Sequence, residues 1–142
     1  MDVTATLDTE HSVDDLFAVV GDLATYPRWL DIVPRAVPVD GSSDEWQVDL
    51  RGRLGPFARS KRLRMVRATY EAPSLVVFER QESDGRQHSP WVLRAEVSAL
   101  PDGSRLTMRL HYGGGLFGPV LERLLGDEIE RSKPRLLALL EA

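Results

Sequence analysis

Three glycines late in the chain, Gly113, Gly115 and Gly118, match the pattern G-x-G-x-x-G between a strand-like and a helix-like segment. This is the local setting of a dinucleotide-binding loop, in which backbone N–H groups approach a pyrophosphate at a helix N-terminus. A dinucleotide site also needs a second parallel strand after the helix, and no strand-like segment follows this one. We therefore expect the glycines to allow a sharp turn into the helix, and we expect no cofactor.

The histidines and serines do not form a recognisable metal or hydrolase motif. His11, His88 and His111 are scattered along the sequence without the spacing of zinc ligands, and the chain has no cysteine. No serine lies in a nucleophile elbow or has an evident histidine partner. We expect surface histidines, no metal site and no disulfide.

Four side chains have the chemistry that acid–base catalysis on a carbonyl compound would need. Arg64 or Arg67 could polarise the carbonyl, Tyr112 could act as the acid and Glu128 as the base. These roles depend on a fold that brings the four side chains into one cavity.

Glu128 and Ser132 follow two leucines at helical spacing, at or near the apolar side of the last helical segment. A buried carboxylate is costly unless it is paired or bound to something. In one interpretation Glu128 contacts a ligand or accepts a proton while facing Arg64, Arg67 or Arg80. In the other it lies at the edge of the apolar stripe and reaches solvent.

A basic stretch runs from Arg51 to Arg67, with seven basic residues and no acidic one. It could bind a phosphate, a carboxylate or an acidic protein partner, or it could be a solvated sheet face. The whole chain has a net charge of −4 and a pI near 5.4, which argues against general nucleic-acid binding.

The first elements are a strand-like run, Val3–Thr9, and a helical segment, Ser12–Leu30, whose first residue is a serine that can cap a helix. Pro27 should end the regular helix, because the residue before a proline is pushed out of the α region. We expect Tyr26 and Trp29 to hold the resulting corner, with Trp29 near one end of any cavity.

Six strand-like runs then follow, joined by turn-forming residues, and they predict a meandering antiparallel sheet. A change in the apolar pattern near Met65 and Val66 predicts a bulge or bend there. The runs begin at about Pro34, Glu45, Ser60, Leu75, Trp91 and Leu106.

The period changes from two to 3.6 from Phe117 to about Leu140, which predicts a long helix on the sheet. Pro134 should kink or restart it. No apolar run approaches the ~20 residues that span a bilayer. The 142 residues suit a single domain, 1–142, and cytoplasmic location is our expectation because no secretory signal is evident.

One strand, a corner with Tyr-Pro-x-Trp, six strands and a long helix together resemble the START-like or Bet v 1-like superfamily (SRPBCC). Within it, the segment DLATYPRWLDIV, residues 22–33, resembles the bacterial polyketide cyclase/dehydrase and lipid-transport branch. The resemblance implies an α+β helix-grip fold. In this fold a curved, seven-stranded antiparallel sheet wraps a long C-terminal helix, two short helices follow the first strand, and a hydrophobic cavity lies between sheet and helix.

The inward positions of the predicted strands and helix supply candidates for the lining of that cavity. They are Phe57, Leu63, Met65, Phe78, Trp91, Leu93, Met108, Leu110, Tyr112, Leu121, Leu125 and Glu128.

The leading functional hypothesis is a binder of a hydrophobic or amphipathic small molecule such as a lipid, an isoprenoid or a polyketide-like aromatic. One alternative is an enzyme that resembles polyketide aromatase/cyclases, although no family catalytic residue can be mapped onto this chain. The other is an interaction module for a quinone-dependent complex or an acyl carrier protein, docking through Arg51 to Arg67.

Overall fold

The computed structural model describes residues 2–54, 57–113 and 121–142, with backbone alone for 53, 54, 57–59, 121, 122 and 124. Strand β1 is followed by helix α1, a short 3₁₀ helix, six further strands and the long helix α2. The bounds are β1 Asp2–Thr9, α1 Val13–Val20, the 3₁₀ helix Leu23–Arg28, β2 Arg35–Pro38, β3 Glu45–Leu54, β4 Phe57–Glu71, β5 Leu75–Arg80, β6 Trp91–Leu100, β7 Gly103–Tyr112 and α2 Leu121–Glu141.

The described strands form one sheet with the order β1-β7-β6-β5-β4-β3-β2, and each pair of neighbours is antiparallel. The meander from β2 to β7 places consecutive strands side by side, and β1 joins β7 at the far edge. α2 packs against β1, α1 and the 3₁₀ helix. The α+β helix-grip architecture predicted from the sequence is confirmed.

The helical segment after β1 is divided at Gly21, earlier than the predicted end at Pro27. The Ser12 hydroxyl accepts a hydrogen bond from the Asp15 N–H at 3.1 Å and caps α1. α1 ends at Val20, and the Asp22 carboxylate caps the 3₁₀ helix by accepting from the Ala24 N–H at 3.0 Å. Pro27 lies inside the 3₁₀ helix, so the second cap rather than the proline breaks the segment.

β4 contains the predicted irregularity, but it lies further along the strand than Met65 and Val66. The pairing of β4 with β5 shifts between Arg67 and Thr69, so Ala68 is an extra residue in β4. The shift places Arg67 and Tyr70 on the same side of the strand, with the Arg67 guanidinium 3.9 Å from the centre of the Tyr70 ring.

The β6–β7 hairpin has a two-residue loop, and Gly103 is the first residue after it. A Cβ atom at Gly103 would lie 1.9 Å from the Thr9 carbonyl oxygen at the end of β1. Only glycine permits this close approach. The buried Ser104 hydroxyl stabilises the same contact by donating to the His11 carbonyl at 2.8 Å.

The core lies between the inner face of the sheet and the helices. The largest fully buried side chains include Tyr26, Phe78, Leu16, Leu63 and Leu136, which come from the corner, the sheet and both helices. α2 continues through Pro134 to Glu141 as one helix and does not restart there.

Candidate functional site

An apolar cavity of about 130 Å³ lies between the inner face of the sheet, the corner after α1 and helix α2. Each of these elements supplies part of the wall, so the cavity exists only in the assembled fold. Its lining comprises Val3, Ala5, Leu23, Tyr26, Trp29, Leu30, Ile32, Val33, Val48, Leu50, Leu63, Met65, Trp91, Leu93, Met108, Leu110, Leu125, Glu128, Ile129 and Ser132. A smaller space of about 30 Å³ shares Ala5, Trp29, Met108, Ile129 and Ser132 with it and continues under α2 towards Leu136.

Two hydroxyl groups of the wall are satisfied within the protein. The Tyr26 hydroxyl donates to the Val20 carbonyl at 2.8 Å, and the Ser132 hydroxyl donates to the Ile129 carbonyl at 2.7 Å. Burial, with a smaller contribution from the charge of Asp22, raises the pKa of the Tyr26 phenol far above its usual value. Both hydroxyl groups are therefore already hydrogen-bonded to backbone carbonyls.

Aromatic contacts hold the two tryptophans of the wall in place. The Trp29 ring lies 4.7 Å from the Tyr26 ring, between centroids, within the corner. The Trp91 ring stacks on Tyr112 at 5.4 Å with an interplanar angle of 26°. Both indoles are almost completely buried.

Three buried polar atoms of the wall have no hydrogen-bond partner among the described residues: Trp29 Nε1, Trp91 Nε1 and Glu128 Oε2. Buried polar atoms in proteins are nearly always hydrogen-bonded, because each unpaired one costs free energy. The three atoms belong to residues on three different elements, and each of these residues lines the cavity.

Glu128 combines features of both sequence interpretations. Its side chain is 14% exposed, and Oε1 pairs with Arg131 one turn further along α2. The prediction that Glu128 faces Arg64, Arg67 or Arg80 was wrong, because its charged partner is Arg131 of the same helix. Oε2 is buried and has no hydrogen-bond partner among the described residues.

Eight of the predicted lining residues lie in the wall of this cavity. They are Leu63, Met65, Trp91, Leu93, Met108, Leu110, Leu125 and Glu128. Phe78 and Tyr112 are buried but lie outside its lining, because Phe78 packs on Tyr26 and Trp46, and Tyr112 lies behind Trp91. The side chains of Phe57 and Leu121 lie outside the described residues. Whether any of these residues contacts a ligand remains a prediction.

β1, β3 and the corner also contribute to the wall, although of their residues only Trp29 was expected near the cavity. Val3 and Ala5 alternate with exposed residues in β1, and Val48 and Leu50 alternate with polar residues in β3. That period-two pattern was a usable signal. The corner residues, from Leu23 to Val33, follow no simple period, and only the apolar composition of the segment could have indicated them.

Three of the four candidate catalytic residues are not in the cavity lining. Arg64 pairs with Glu45 at 2.7 Å. Arg67 lies over the rings of Trp46 and Tyr70 and donates to the Gly21 carbonyl at 3.1 Å. Tyr112 lies behind Trp91, so only Glu128 reaches the cavity.

Two arginines of the basic stretch from Arg51 to Arg67 have acidic partners in β3. Asp49 in β3 pairs with Arg62 at 2.8 Å, and Glu45, also in β3, is the partner of Arg64. The hydrogen bond from Arg62 lowers the pKa of the Asp49 carboxyl group. Docking of an acidic partner here remains a prediction.

The described residues contain no group of three or more His, Cys, Asp or Glu side chains that could hold a metal ion. His88 contacts Asp84 and Arg80, and His111 contacts Asp2. Gly113 donates its N–H to the Pro90 carbonyl at 2.9 Å. Gly115 and Gly118 lie outside the described residues, but the antiparallel pairing of the described strands does not provide the crevice between parallel strands that a dinucleotide fold requires.

A family model described as "Polyketide cyclase / dehydrase and lipid transport" matches residues 1–141. The chain belongs to this family. Family membership agrees with the resemblance seen in residues 22–33 and in the order of the elements. A search among curated proteins finds no match to the chain.

Solved structures with the same fold support the architecture. A START superfamily protein from Mycobacterium smegmatis is 19% identical, with a TM-score of 0.71 over 99% of this chain and 97% of that one. A conserved protein from Geobacillus kaustophilus is 10% identical, with a TM-score of 0.77 over 99% and 95% of the two chains. At these identities the likeness concerns the fold alone. No helix within the described ranges is long and apolar enough to span a membrane.

Proposed function

We propose that this protein binds a compact hydrophobic or amphipathic small molecule in the cavity between the sheet, the corner and α2. The observation that supports the proposal is the apolar cavity of about 130 Å³. An apolar cavity of about 150 Å³ in another protein stays dry and accepts benzene. A ligand of one or two small rings therefore suits this volume better than an extended lipid chain.

The family and the fold are consistent with a ligand-binding domain of the START and polyketide-cyclase type. Carriage of a ligand needs only an apolar wall and a suitable shape. Chemistry on the ligand would need several polar groups that converge on it, and Glu128 is the sole member of the proposed catalytic set in the lining. The geometry of the described residues therefore favours binding over catalysis.

The test compares one substitution inside the cavity with one outside it on the same strand. Ala5 lines the cavity, whereas its neighbour Thr4 is exposed. Ethylbenzene serves as the probe, and binding is measured by isothermal titration calorimetry. We expect Ala5→Leu to weaken binding at least tenfold by occupying the cavity, and Thr4→Leu to bind like the unmodified protein. Thermal unfolding of both variants checks that they fold.

Two results would contradict the proposal. One is the absence of ethylbenzene binding by the unmodified protein, together with preparations that carry no ligand in native mass spectrometry. The other is equal binding by the unmodified protein and a folded Ala5→Leu variant, because this would place the probe elsewhere.

A further inference from the structure

We propose that the ligand of the cavity carries a carboxylate group, and that Lys61, Arg80 and Ser89 bind this group beyond one end of the cavity. This inference rests on the proposed function and specifies the chemistry of the ligand. The three residues come from β4, β5 and the segment between β5 and β6. They lie outside the lining of the cavity, so the apolar part of the ligand would fill the cavity and the carboxylate would extend to them.

The alternation of side chains along β4 places Lys61 on the inner face of the sheet. Lys61 lies two residues before Leu63, and its partner in the register with β3 is Leu50. Leu63 and Leu50 both line the cavity. Residues two apart in a strand share a face, and so do directly opposed residues of neighbouring strands. Lys61 therefore continues the row of side chains that forms the wall.

Arg80 and Ser89 are brought to the same end of the wall. Arg80 is opposite Met65 in the register of β5 with β4, and Met65 lines the cavity. The Arg80 side chain is 8% exposed, and its Nη1 donates to the Ser89 carbonyl at 3.3 Å. Ser89 lies two residues before Trp91, another residue of the wall. The cluster thus adjoins lining residues from three consecutive strands.

The two cationic groups converge on the Ser89 hydroxyl. Lys61 Nζ donates to Ser89 Oγ at 3.3 Å, and Arg80 Nη1 lies 3.5 Å from the same oxygen. Because this oxygen accepts from both cations, its own hydrogen points away from them. That hydrogen has no acceptor among the described residues, and both Ser89 and Lys61 are only partly buried. The hydroxyl can therefore donate to an anion that also contacts Lys61.

The cluster has one positive charge that no described carboxylate balances. Arg80 Nε pairs with Glu82 at 3.3 Å, whereas Lys61 has no acidic partner within ion-pair distance in the described part of the chain. Burial, followed by the charge of Arg80, lowers the pKa of Lys61. A bound anion would stabilise the charged form of Lys61 through a charge-assisted hydrogen bond.

A carboxylate matches this cluster better than a phosphate ester. It brings one negative charge to one unbalanced positive charge, whereas a phosphate monoester brings about 1.5 to 2 negative charges at pH 7. Two residues along a strand span about 7 Å, so a short side chain on the ligand can connect the cavity to the cluster. The ligand class is therefore a compact ring compound with a carboxylate on a short side chain.

Three probes measure the contribution of the carboxylate by calorimetric titration of the full chain at pH 7. They are 4-phenylbutyrate, its neutral amide 4-phenylbutyramide, and butyrate, which lacks the ring. We expect 4-phenylbutyrate to bind about tenfold more tightly than the amide at low salt, and this advantage to decrease in 1 M salt. Butyrate should bind much more weakly than 4-phenylbutyrate, because it leaves the cavity empty.

Variants assign the advantage of the carboxylate to the cluster. Lys61→Met should remove most of it and leave the affinity for the amide largely unchanged, and Ser89→Ala should reduce it by a smaller factor. Arg62→Met is the matched control, because Arg62 is the next residue in β4, lies on the opposite face and pairs with Asp49. It removes the same charge and should leave the advantage unchanged. Thermal unfolding checks that each variant folds.

Competition with ethylbenzene tests whether one ligand occupies both the cavity and the cluster. Saturating 4-phenylbutyrate should displace ethylbenzene, because the two rings share the cavity. Ala5→Leu, which fills the cavity, should weaken the binding of 4-phenylbutyrate by about tenfold or more.

The outcomes distinguish this inference from the proposed function. The carboxylate site is overturned if ethylbenzene binds but 4-phenylbutyrate has no advantage over its amide. It is also overturned if the advantage survives Lys61→Met, or if 4-phenylbutyrate binds without displacing ethylbenzene. In each of these cases the cavity still binds an apolar ligand. If neither ethylbenzene nor any of the three probes binds, both proposals are overturned.

Discussion

The outer face of strands β3 and β4 differs from the wall of the cavity in how completely its polar groups are paired. On the outer face, Arg62 pairs with Asp49 and Arg64 pairs with Glu45, although water could solvate all four side chains. In the cavity wall, two indole donors and one carboxylate oxygen have no partner among the described residues. The pairing is therefore most complete where it contributes least to stability.

This difference shows that some side chains of the cavity wall keep unpaired polar atoms among the described residues, at a cost in stability. The corner contains one group of each kind, because the Tyr26 hydroxyl donates to the Val20 carbonyl whereas the neighbouring Trp29 N–H has no partner among the described residues. Natural proteins keep such costs mainly at functional sites. Substitutions on the two sides of the comparison should accordingly behave differently.

The largest expected effect is at Trp29, where the ring belongs to both the core and the cavity wall. Trp29→Ala should lower the free energy of unfolding by about 3 to 5 kcal/mol, measured by urea denaturation, because it leaves a large void in the corner. Trp29→Phe should cost much less, because it keeps most of the packing and removes only an unpaired N–H. A near-neutral Trp29→Ala variant would refute the role of this ring in holding the corner.

The next effect is at Tyr26, the satisfied member of the same aromatic pair. Tyr26→Phe should cost about 1 to 2 kcal/mol, because the Val20 carbonyl loses its buried donor. This loss of stability should exceed the loss caused by Trp29→Phe, because the Tyr26 hydroxyl has a hydrogen-bond partner whereas the Trp29 N–H has none among the described residues.

Tyr26 also predicts a pH dependence with a definite sign. Its folded pKa is raised, so the stability it contributes is complete below the unfolded pKa of about 10 and is lost above it, as the unfolded phenol ionises. The loss should approach ~1.4 kcal/mol per pH unit. Denaturation between about pH 9 and 11 should show a shallower slope for Tyr26→Phe than for the unmodified protein. Parallel slopes would contradict the assignment.

A smaller effect is expected from the ion pair between Arg64 and Glu45 on the outer face. Both side chains are about a quarter exposed, so a double-mutant cycle with alanine should give a coupling of up to about 1 kcal/mol. The coupling should decrease in 1 M salt. A salt-independent coupling would mean that the two residues interact mainly through packing.

The smallest effect should come from Asp49 beside the exposed Arg62. The folded pKa of Asp49 is lowered, so its contribution is present above the unfolded pKa of about 3.9 and is lost as the pH falls through the folded value. Asp49→Asn should therefore lower the melting temperature slightly at pH 7 and leave it unchanged at pH 2. Arg62→Gln should reproduce this pattern, and a difference that persists at low pH would point to another cause.

The periodicity of the sequence predicted those parts of the fold and of the site in which inward and outward side chains alternate regularly. β3 has the predicted bounds, Glu45–Leu54, and the alternation through Leu63 and Met65 placed both in the cavity wall. The position of the bulge in β4 was missed because the inserted residue, Ala68, changes the side of the sheet on which the following side chains lie. It leaves the amino-acid composition of the strand unchanged. The partner of Glu128 was misjudged because contact across the fold and contact along a helix are both compatible with its spacing. The unpaired indole nitrogens depend on side-chain positions that no period specifies.

The order of the strands has a consequence for the synthesis of the chain. β1 pairs with β7, and Asp2 contacts His111 across a separation of 109 residues. β1 therefore stays unpaired until β7 has been synthesised, and closing so long a loop has a high entropic cost. Because Val3 and Ala5 of β1 line the cavity, the cavity wall is incomplete until β1 has paired with β7.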